Sequence, residues 1–233
     1  MMLAPTVFGL VVLAGVVAGE VASIPAQKGV RTAPLETRTI GRYLPHPLGG
    51  LVAASSLGLG VMLVTTTLMG SADDLGRPGR SLFARCTAQT SVSAGPWPGL
   101  FYSVPLGVAV IIGLVGASIA LRTVVLRPRS GSDPELVAVD DLLRRRSAEA
   151  VVAATGVMVA VSLVGISLAS AGALLNVNGR QPLSWTILGV TLLVVAALML
   201  GLACWCLTLL LSGARISRTE SGEGAVAGRG AFR

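Results

Sequence analysis

Charged side chains are what this sequence has least of. Asp, Glu, Lys and Arg make up 12% of its 233 residues, where a soluble domain carries about 25%. Half the usual charge cannot cover a water-facing surface, so an ordinary soluble fold is excluded. Aromatic residues are also scarce, at 4% against 53% hydrophobic residues; the apolar character comes from Ala, Val and Leu. That share, with a mean hydropathy of +0.79, excludes a disordered chain. Cys86, Cys204 and Cys206 are the only cysteines, too few for a secreted disulfide framework. Lysine is rarer still: Lys28 stands alone and every other cation is arginine. Beside the abundant Ala, Val and Gly, this is codon usage of a GC-rich genome rather than an arginine-specific function.

What the chain does have is long apolar runs. Five of them, at 3–21, 48–69, 101–121, 150–175 and 185–211, carry charge only at their ends. A bilayer core about 30 Å thick takes roughly 20 residues of helix. The expected fold is therefore all-α: a polytopic bundle of five transmembrane helices. The first run lacks the positive n-region of a secretory signal and has its cations after it, at Lys28, Arg31, Arg38 and Arg42; it is expected to remain as a span. Lys and Arg accumulate in cytoplasmic segments. With the N-terminus outside and the C-terminus cytoplasmic, fourteen of the eighteen cations lie inside; Arg77, Arg80, Arg85 and Arg180 lie outside. The net charge of +7 is thus a threading signal rather than a footprint for nucleic acid. Trp97, Tyr102 and Trp185 fall at the expected outer boundary, Tyr43 and Trp205 at the inner one, where amphipathic rings favour the headgroup level.

The loops differ in character. The inner loop 22–47 is basic and holds Pro25, Pro34, Pro45 and Pro47. The outer loop 70–100 carries Gly76-Arg77-Pro78-Gly79 and Gly95-Pro96-Trp97-Pro98-Gly99 near its two ends, which read as turns. At Ser132-Asp133-Pro134-Glu135 a capping oxygen, a first-turn proline and an acid mark a helix start. A cytoplasmic helix over about 133–147 follows, lying on the membrane face or running into the fourth span, with Leu136, Val139 and Leu143 on one face. Asp140–Arg144 and Asp141–Arg145 are i,i+4 pairs worth about 0.2–0.5 kcal/mol each. Asp140, Asp141, Arg144, Arg145 and Arg146 are candidate contacts for a partner protein or for anionic lipid at the inner face, the lipid reading being the simpler. The tail 212–233, rich in Gly, Ser and Arg, is expected to be disordered.

Reactive chemistry is sparse. Asp73 and Asp74 lack the further oxygens that a divalent cation needs. Cys86 reads as a free thiol or an intermolecular link, Cys204 and Cys206 as buried apolar residues, and His46 as an interfacial residue. No ionisable group lies at mid-depth, where one would mark an ion or proton path. Serine and threonine hydroxyls such as Thr65–Thr67, Ser162, Ser167 and Ser170 can bond their own helix backbone. No P-loop, dinucleotide fingerprint, nucleophile elbow or zinc-protease His pair occurs. No catalytic, cofactor-binding or metal-ligating residue is therefore expected. Small residues are plentiful: Gly15 and Gly19 form GxxxG, Gly165 and Ala169 a related pair, and such positions let helices approach closely.

The string Asp73-Asp74-Leu75-Gly76-Arg77-Pro78-Gly79-Arg80, followed by Cys86, Pro96-Trp97-Pro98-Gly99 and Tyr102, resembles uncharacterised multi-span membrane proteins of high-GC bacteria. So does the inner run from Asp140 to Arg146. The resemblance covers about the middle third of the chain and implies an association with membrane transport, with no catalytic residue to carry over. The expectation is a non-enzymatic multi-pass protein of the bacterial cytoplasmic membrane, without cofactor, acting as an accessory or membrane subunit of a transport complex alongside other protein subunits. The alternative is a small-solute permease or channel working through its own bundle.

Overall fold

In lipid, every backbone N–H and C=O must find a partner within its own segment, and long apolar runs meet that demand as helices. The computed structural model describes residues 7, 9–15, 18, 46–73, 75–85, 91–126, 134–176 and 182–230. Helix α1 covers residues 9–15, with Val7 and Ala18 also helical. It is followed by α2 (His46–Met69), β1 (Leu82–Arg85), β2 (Ser91–Ala94), α3 (Leu100–Leu126), α4 (Pro134–Leu175) and α5 (Leu183–Gly230). Among the described residues, four helices hold stretches long and apolar enough to cross a membrane: Pro47–Met69, Leu100–Leu126, Val137–Leu175 and Leu183–Ser212. They contain the second to fifth expected spans, the stretch that holds the fourth span beginning well before the expected 150. Much of the first expected span, Gly19 included, and residues 22–45 of the expected loop 22–47 lie outside the described residues.

The bundle is built around α4. Its apolar stretch is 78% buried, against 22–28% for the other three, and residues 151–160 are buried without a break. A helix apolar all round is one that other helices surround. Val52 of α2 and Leu202 and Cys206 of α5 pack against Val157 and Ala160. Leu59 of α2 and Leu106 and Val110 of α3 pack against Met158 and Leu163. Leu13 of α1 meets Val151 and Ala154 beside Ala117 and Ala120 of α3. The outward faces of α2, α3 and α5 expose Leu57, Val61, Ile111, Ile119, Val194 and Leu198, a surface that suits acyl chains and not water.

Because lipid is as apolar as leucine, close packing rather than hydrophobic drive holds such helices together, and small residues decide where they touch. A β-carbon at Gly9 would lie 2.5 Å from the Met158 backbone, and one at Gly156 2.7 Å from Cys206 Sγ; at Gly113 it would run into the Met158 thioether. Gly15, expected to be a packing residue, has open space instead, because the helical turn of α1 places it on the exposed side. Gly58, Gly60 and Gly116 are likewise open. Gly165 and Ala169 are half-buried on α4.

Of two boundaries, one takes an anticipated form and the other differs from expectation. The helix expected at 133–147 is continuous with the fourth span, the second of its two anticipated forms, and begins at Pro134 in a single helix of 42 residues. At the other end, the helical backbone of α5 runs on to Gly230, through the tail expected to be disordered. Extending an existing helix adds a hydrogen bond per residue without a new nucleation cost, which offsets the poor propensity of its glycines.

The loop between α2 and α3 folds into a cap. β1 and β2 pair antiparallel, Leu82 opposite Ala94 and Arg85 opposite Ser91, and a bridge between Ser71 and Ser81 extends the pairing. The strand period of two puts Leu82 and Ala94 inward and Phe83 and Ser93 outward. Leu82, Ala94 and Trp97 seal that end of the bundle against Ala171, Leu174 and Leu192. The hairpin was not expected: strands of four residues give too short an alternation to separate from loop.

Candidate functional site

Polar groups gather at the two ends of the bundle, and at both they first satisfy helix termini. The last four carbonyls of a helix have no partner within it. At the hairpin end, the Trp97 indole Nε1 donates to the Thr66 carbonyl near the end of α2 at 2.8 Å, and its backbone N–H donates to the Arg80 carbonyl at 2.8 Å. Thr66 Oγ1 lies 3.2 Å from Ser103 Oγ, which donates to the Pro98 carbonyl at 2.8 Å. Trp97 was expected in an interfacial aromatic belt; it is 2% exposed, because the loop folds back and buries it. Trp185 is half-buried and Trp205 exposed.

Two glycines permit this closure. Gly79 adopts φ +70°, the left-handed region that glycine enters without strain. A β-carbon at Gly99 would lie 2.5 Å from the Gly79 carbonyl oxygen, so the two Pro-Gly turns touch backbone to backbone. Above them lies an open polar cleft of ≈ 300 Å³, lined by Asp73, Arg77, Arg80, Ser81, Ser93 and Tyr102 among others. Asp73 Oδ1 accepts the backbone N–H of Leu75 at 3.0 Å and of Arg77 at 2.9 Å, and Oδ2 accepts Arg77 Nε at 2.8 Å. Desolvation alone would raise the carboxyl pKa, but the backbone and side-chain donors of Arg77, with the Leu75 N–H, outweigh it and hold the group below its ordinary 3.8. The Arg80 guanidinium lies 3.9 Å over the Phe101 ring, and Tyr102 meets that ring edge-on at 5.0 Å. Beneath the cleft, a void of ≈ 10 Å³ is lined by Tyr102, Leu106, Gly165 and Ile166. Asp74 and Cys86 lie outside the described residues.

At the opposite end the structure divides the candidate cluster on α4. Arg144 is 3% and Asp140 8% exposed. Arg144 Nη2 and Nε donate to Asp140 Oδ2 at 2.7 and 3.0 Å, so the i,i+4 pair read from the sequence forms. Its third bond runs from Nη1 to the Val125 carbonyl at 3.2 Å, one of the orphan acceptors at the end of α3. A buried, internally bonded pair is no surface for lipid or partner, which corrects the expectation for these two residues. Asp141 is half-buried, while Arg145 and Arg146 are exposed. So are Val139, Leu142 and Leu143, a stripe at helical spacing that includes Leu142, absent from the expected face.

Within the bundle most hydroxyls bond their own helix, as expected. Thr155 donates to Val151 O at 2.8 Å and Ser162 to Met158 O at 2.7 Å; Thr67 does the same in α2. Ser167 and Ser170 depart from that pattern: both hydroxyls are buried without a hydrogen-bond partner. Among the described residues, no three His, Cys, Asp or Glu side chains converge where a metal could be held. No protein-family model matches the chain, and comparison with curated proteins and with solved structures yielded no match. What the described residues define is a helical bundle with four helices long and apolar enough to cross a membrane, capped at one end by a hairpin.

Proposed function

We propose that this chain is a non-enzymatic, five-span protein of the bacterial cytoplasmic membrane that serves as an accessory or membrane subunit of a transport complex. The observation that carries this reading is the exposed stripe of Val139, Leu142 and Leu143 on the part of α4 that precedes its fully apolar stretch. Residues 134–149 of that helix reach about 24 Å at 1.5 Å per residue. An apolar stripe held in the open by a rigid helix suits a protein partner, read through i, i+3 and i+4 anchors. Exposed Arg145 and Arg146 beside it suit anionic headgroups, at about 1 kcal/mol each. The threading proposed is N-terminus outside. The excess of cations in the segments this threading places inside supports it; α1 runs opposite to α4, from Gly9 beside Met158 to Leu13 beside Val151, which fits five alternating spans in either orientation.

A photo-crosslinking residue at Leu142 tests the reading in intact cells. It should capture a discrete protein neighbour, and Leu143→Glu should abolish capture without lowering membrane content; a chain that crosslinks to nothing overturns it. An impermeant thiol reagent should label Cys86 in intact cells, and labelling only after permeabilisation would reverse the threading. The second reading, a permease, is favoured by the unpartnered hydroxyls of Ser167 and Ser170, three residues apart on α4. It requires that the reconstituted chain move a solute by itself, and that Ser167→Ala slow that movement.

A further inference from the structure

The cleft under the hairpin has a charge balance that its lining residues alone do not disclose. It contains one described carboxylate and two guanidinium groups, yet the carboxylate is already used. Both oxygens of Asp73 are engaged within their own turn, and Oδ2 is paired with Arg77. That pair cancels, and a cation entering the cleft would find no free acid among the described residues. Arg80 is different. Its guanidinium face rests on Phe101 at 3.9 Å, and no carboxylate among the described residues is paired with it. Stacking occupies the face of the guanidinium and does not use its N–H donors, which lie in the plane.

The backbone beneath Arg80 is fixed on both sides. Its N–H donates to Ser71 O at 3.2 Å and its carbonyl accepts from Trp97 at 2.8 Å, so the charge is presented from a rigid frame. Ser93 and Tyr102 add hydroxyls to the same lining, whereas the Ser81 hydroxyl is already committed to Ala72 O at 2.6 Å. The cleft therefore offers one guanidinium with no paired carboxylate among the described residues and with neutral donors around it, in ≈ 300 Å³, the lower end of the range for ligand sites.

We propose that this cleft binds a phosphate group, with Arg80 as its charged donor and the Tyr102 and Ser93 hydroxyls as neutral ones. A guanidinium recognises a phosphate through parallel N–H donors, and phosphate has oxygens to spare for the two hydroxyls. Phe101 is 52% exposed at the start of a membrane-crossing helix, so the site sits where both a phospholipid headgroup and a small soluble phosphate can reach it. The proposal is independent of any partner at the other end of the bundle.

The test uses the full chain in maltoside micelles, which contain no phosphate, and isothermal titration with two probes. One is inorganic phosphate; the other is dihexanoyl phosphatidylglycerol below its critical micelle concentration. Saturable binding of at least one probe is expected, weakened tenfold or more in Arg80→Gln and unchanged in Arg122→Gln, an exposed position near the far end of α3. Binding of phosphate itself identifies a soluble ligand, and binding of the lipid probe alone identifies a headgroup. Tyr102→Phe keeps the ring packing and should weaken binding two- to fivefold, so the proposal stays testable even if Arg80→Gln misfolds. Absence of saturable binding with both probes overturns the proposal, as does wild-type affinity in whichever of Arg80→Gln and Tyr102→Phe folds.

Discussion

Replacing Arg144 by alanine puts the polar lock on α4 to a quantitative test. The guanidinium is bonded twice to Asp140 and once to the Val125 carbonyl, and the two side chains are 2% and 10% exposed. Removing the arginine leaves a buried carboxylate without its counter-charge and reopens an orphan carbonyl at the end of α3. Breaking a buried ion pair from one side costs about 3–5 kcal/mol, and the lost bond to a carbonyl about 1 kcal/mol within that figure. At about 1.4 kcal/mol per tenfold, the unfolding constant should rise by roughly two to three and a half orders of magnitude. Asp140→Ala should fall at the lower end, since Arg144 keeps its bond to Val125. The double replacement Asp140→Leu with Arg144→Met, which removes both charges and keeps volume, should recover most of the loss, because a buried pair gains little over apolar packing. Denaturant-driven unfolding in mixed micelles, followed by tryptophan fluorescence, gives the stabilities of the wild type and these three variants. If Arg144→Ala unfolds within about 0.5 kcal/mol of the wild type, the range of ordinary surface substitutions, the pair is not buried and the argument fails.

Three further outcomes follow from the packing and the cap. Gly9→Leu should lower thermal stability in micelles by about 1–3 kcal/mol, the cost of overpacking, because its side chain meets the Met158 backbone; Gly15→Leu, in open space, should be neutral. Trp97→Phe leaves the Thr66 carbonyl without its indole donor and should cost about 1–3 kcal/mol, read as faster hydrogen exchange at the end of α2. The pH dependence of the 71–81 turn follows from the depressed Asp73 pKa. A carboxyl whose folded pKa is lowered stabilises fully above its unfolded value and loses that contribution as pH falls through the folded one. Protection of the Leu75 and Arg77 amides, taken relative to their intrinsic exchange rates, should therefore hold at neutral pH and fall as the pH drops through the depressed Asp73 range, while Asp73→Asn should remove this acid dependence.

The long elements were legible because length and apolarity answer one physical demand, that a backbone in lipid satisfy itself. Runs of twenty or more uncharged residues gave the spans of α2 to α5, and Pro134 gave the start of α4 for the same local reasons that start any helix. The pairing of Asp140 with Arg144 was legible from its spacing. Its direction was not: the same i,i+4 pair can face water or the neighbouring helix, and only the end of α3, nineteen residues earlier in sequence at Val125, turns it inward. Trp97 failed for a related reason. A tryptophan beside a membrane boundary reads as interfacial unless the loop folds over it, and the hairpin that does so rests on two four-residue strands.

The deeper loss of information lies in the spans themselves. In a soluble bundle, the contrast between apolar and polar residues marks the buried face. Here the lipid-facing residues of α2, such as Leu57 and Val61, and the core residues Leu48 and Leu59 are chemically alike, so no periodicity separates them. What distinguishes the faces is shape, and shape is set by pairs that are distant in sequence. Gly9 is a contact because Met158 stands opposite, while Gly15, six residues on, faces nothing. Ser162 bonds its own helix while Ser167 and Ser170, on the same helix, do not. The polar residues of the cap escape this ambiguity, because in a low-charge chain each unpaired charge must have a reason. Arg80, stacked on Phe101 and lacking an acid among the described residues, is therefore the more informative position: a charge stands where a neutral residue would have served packing, and the proposed phosphate recognition gives it a use.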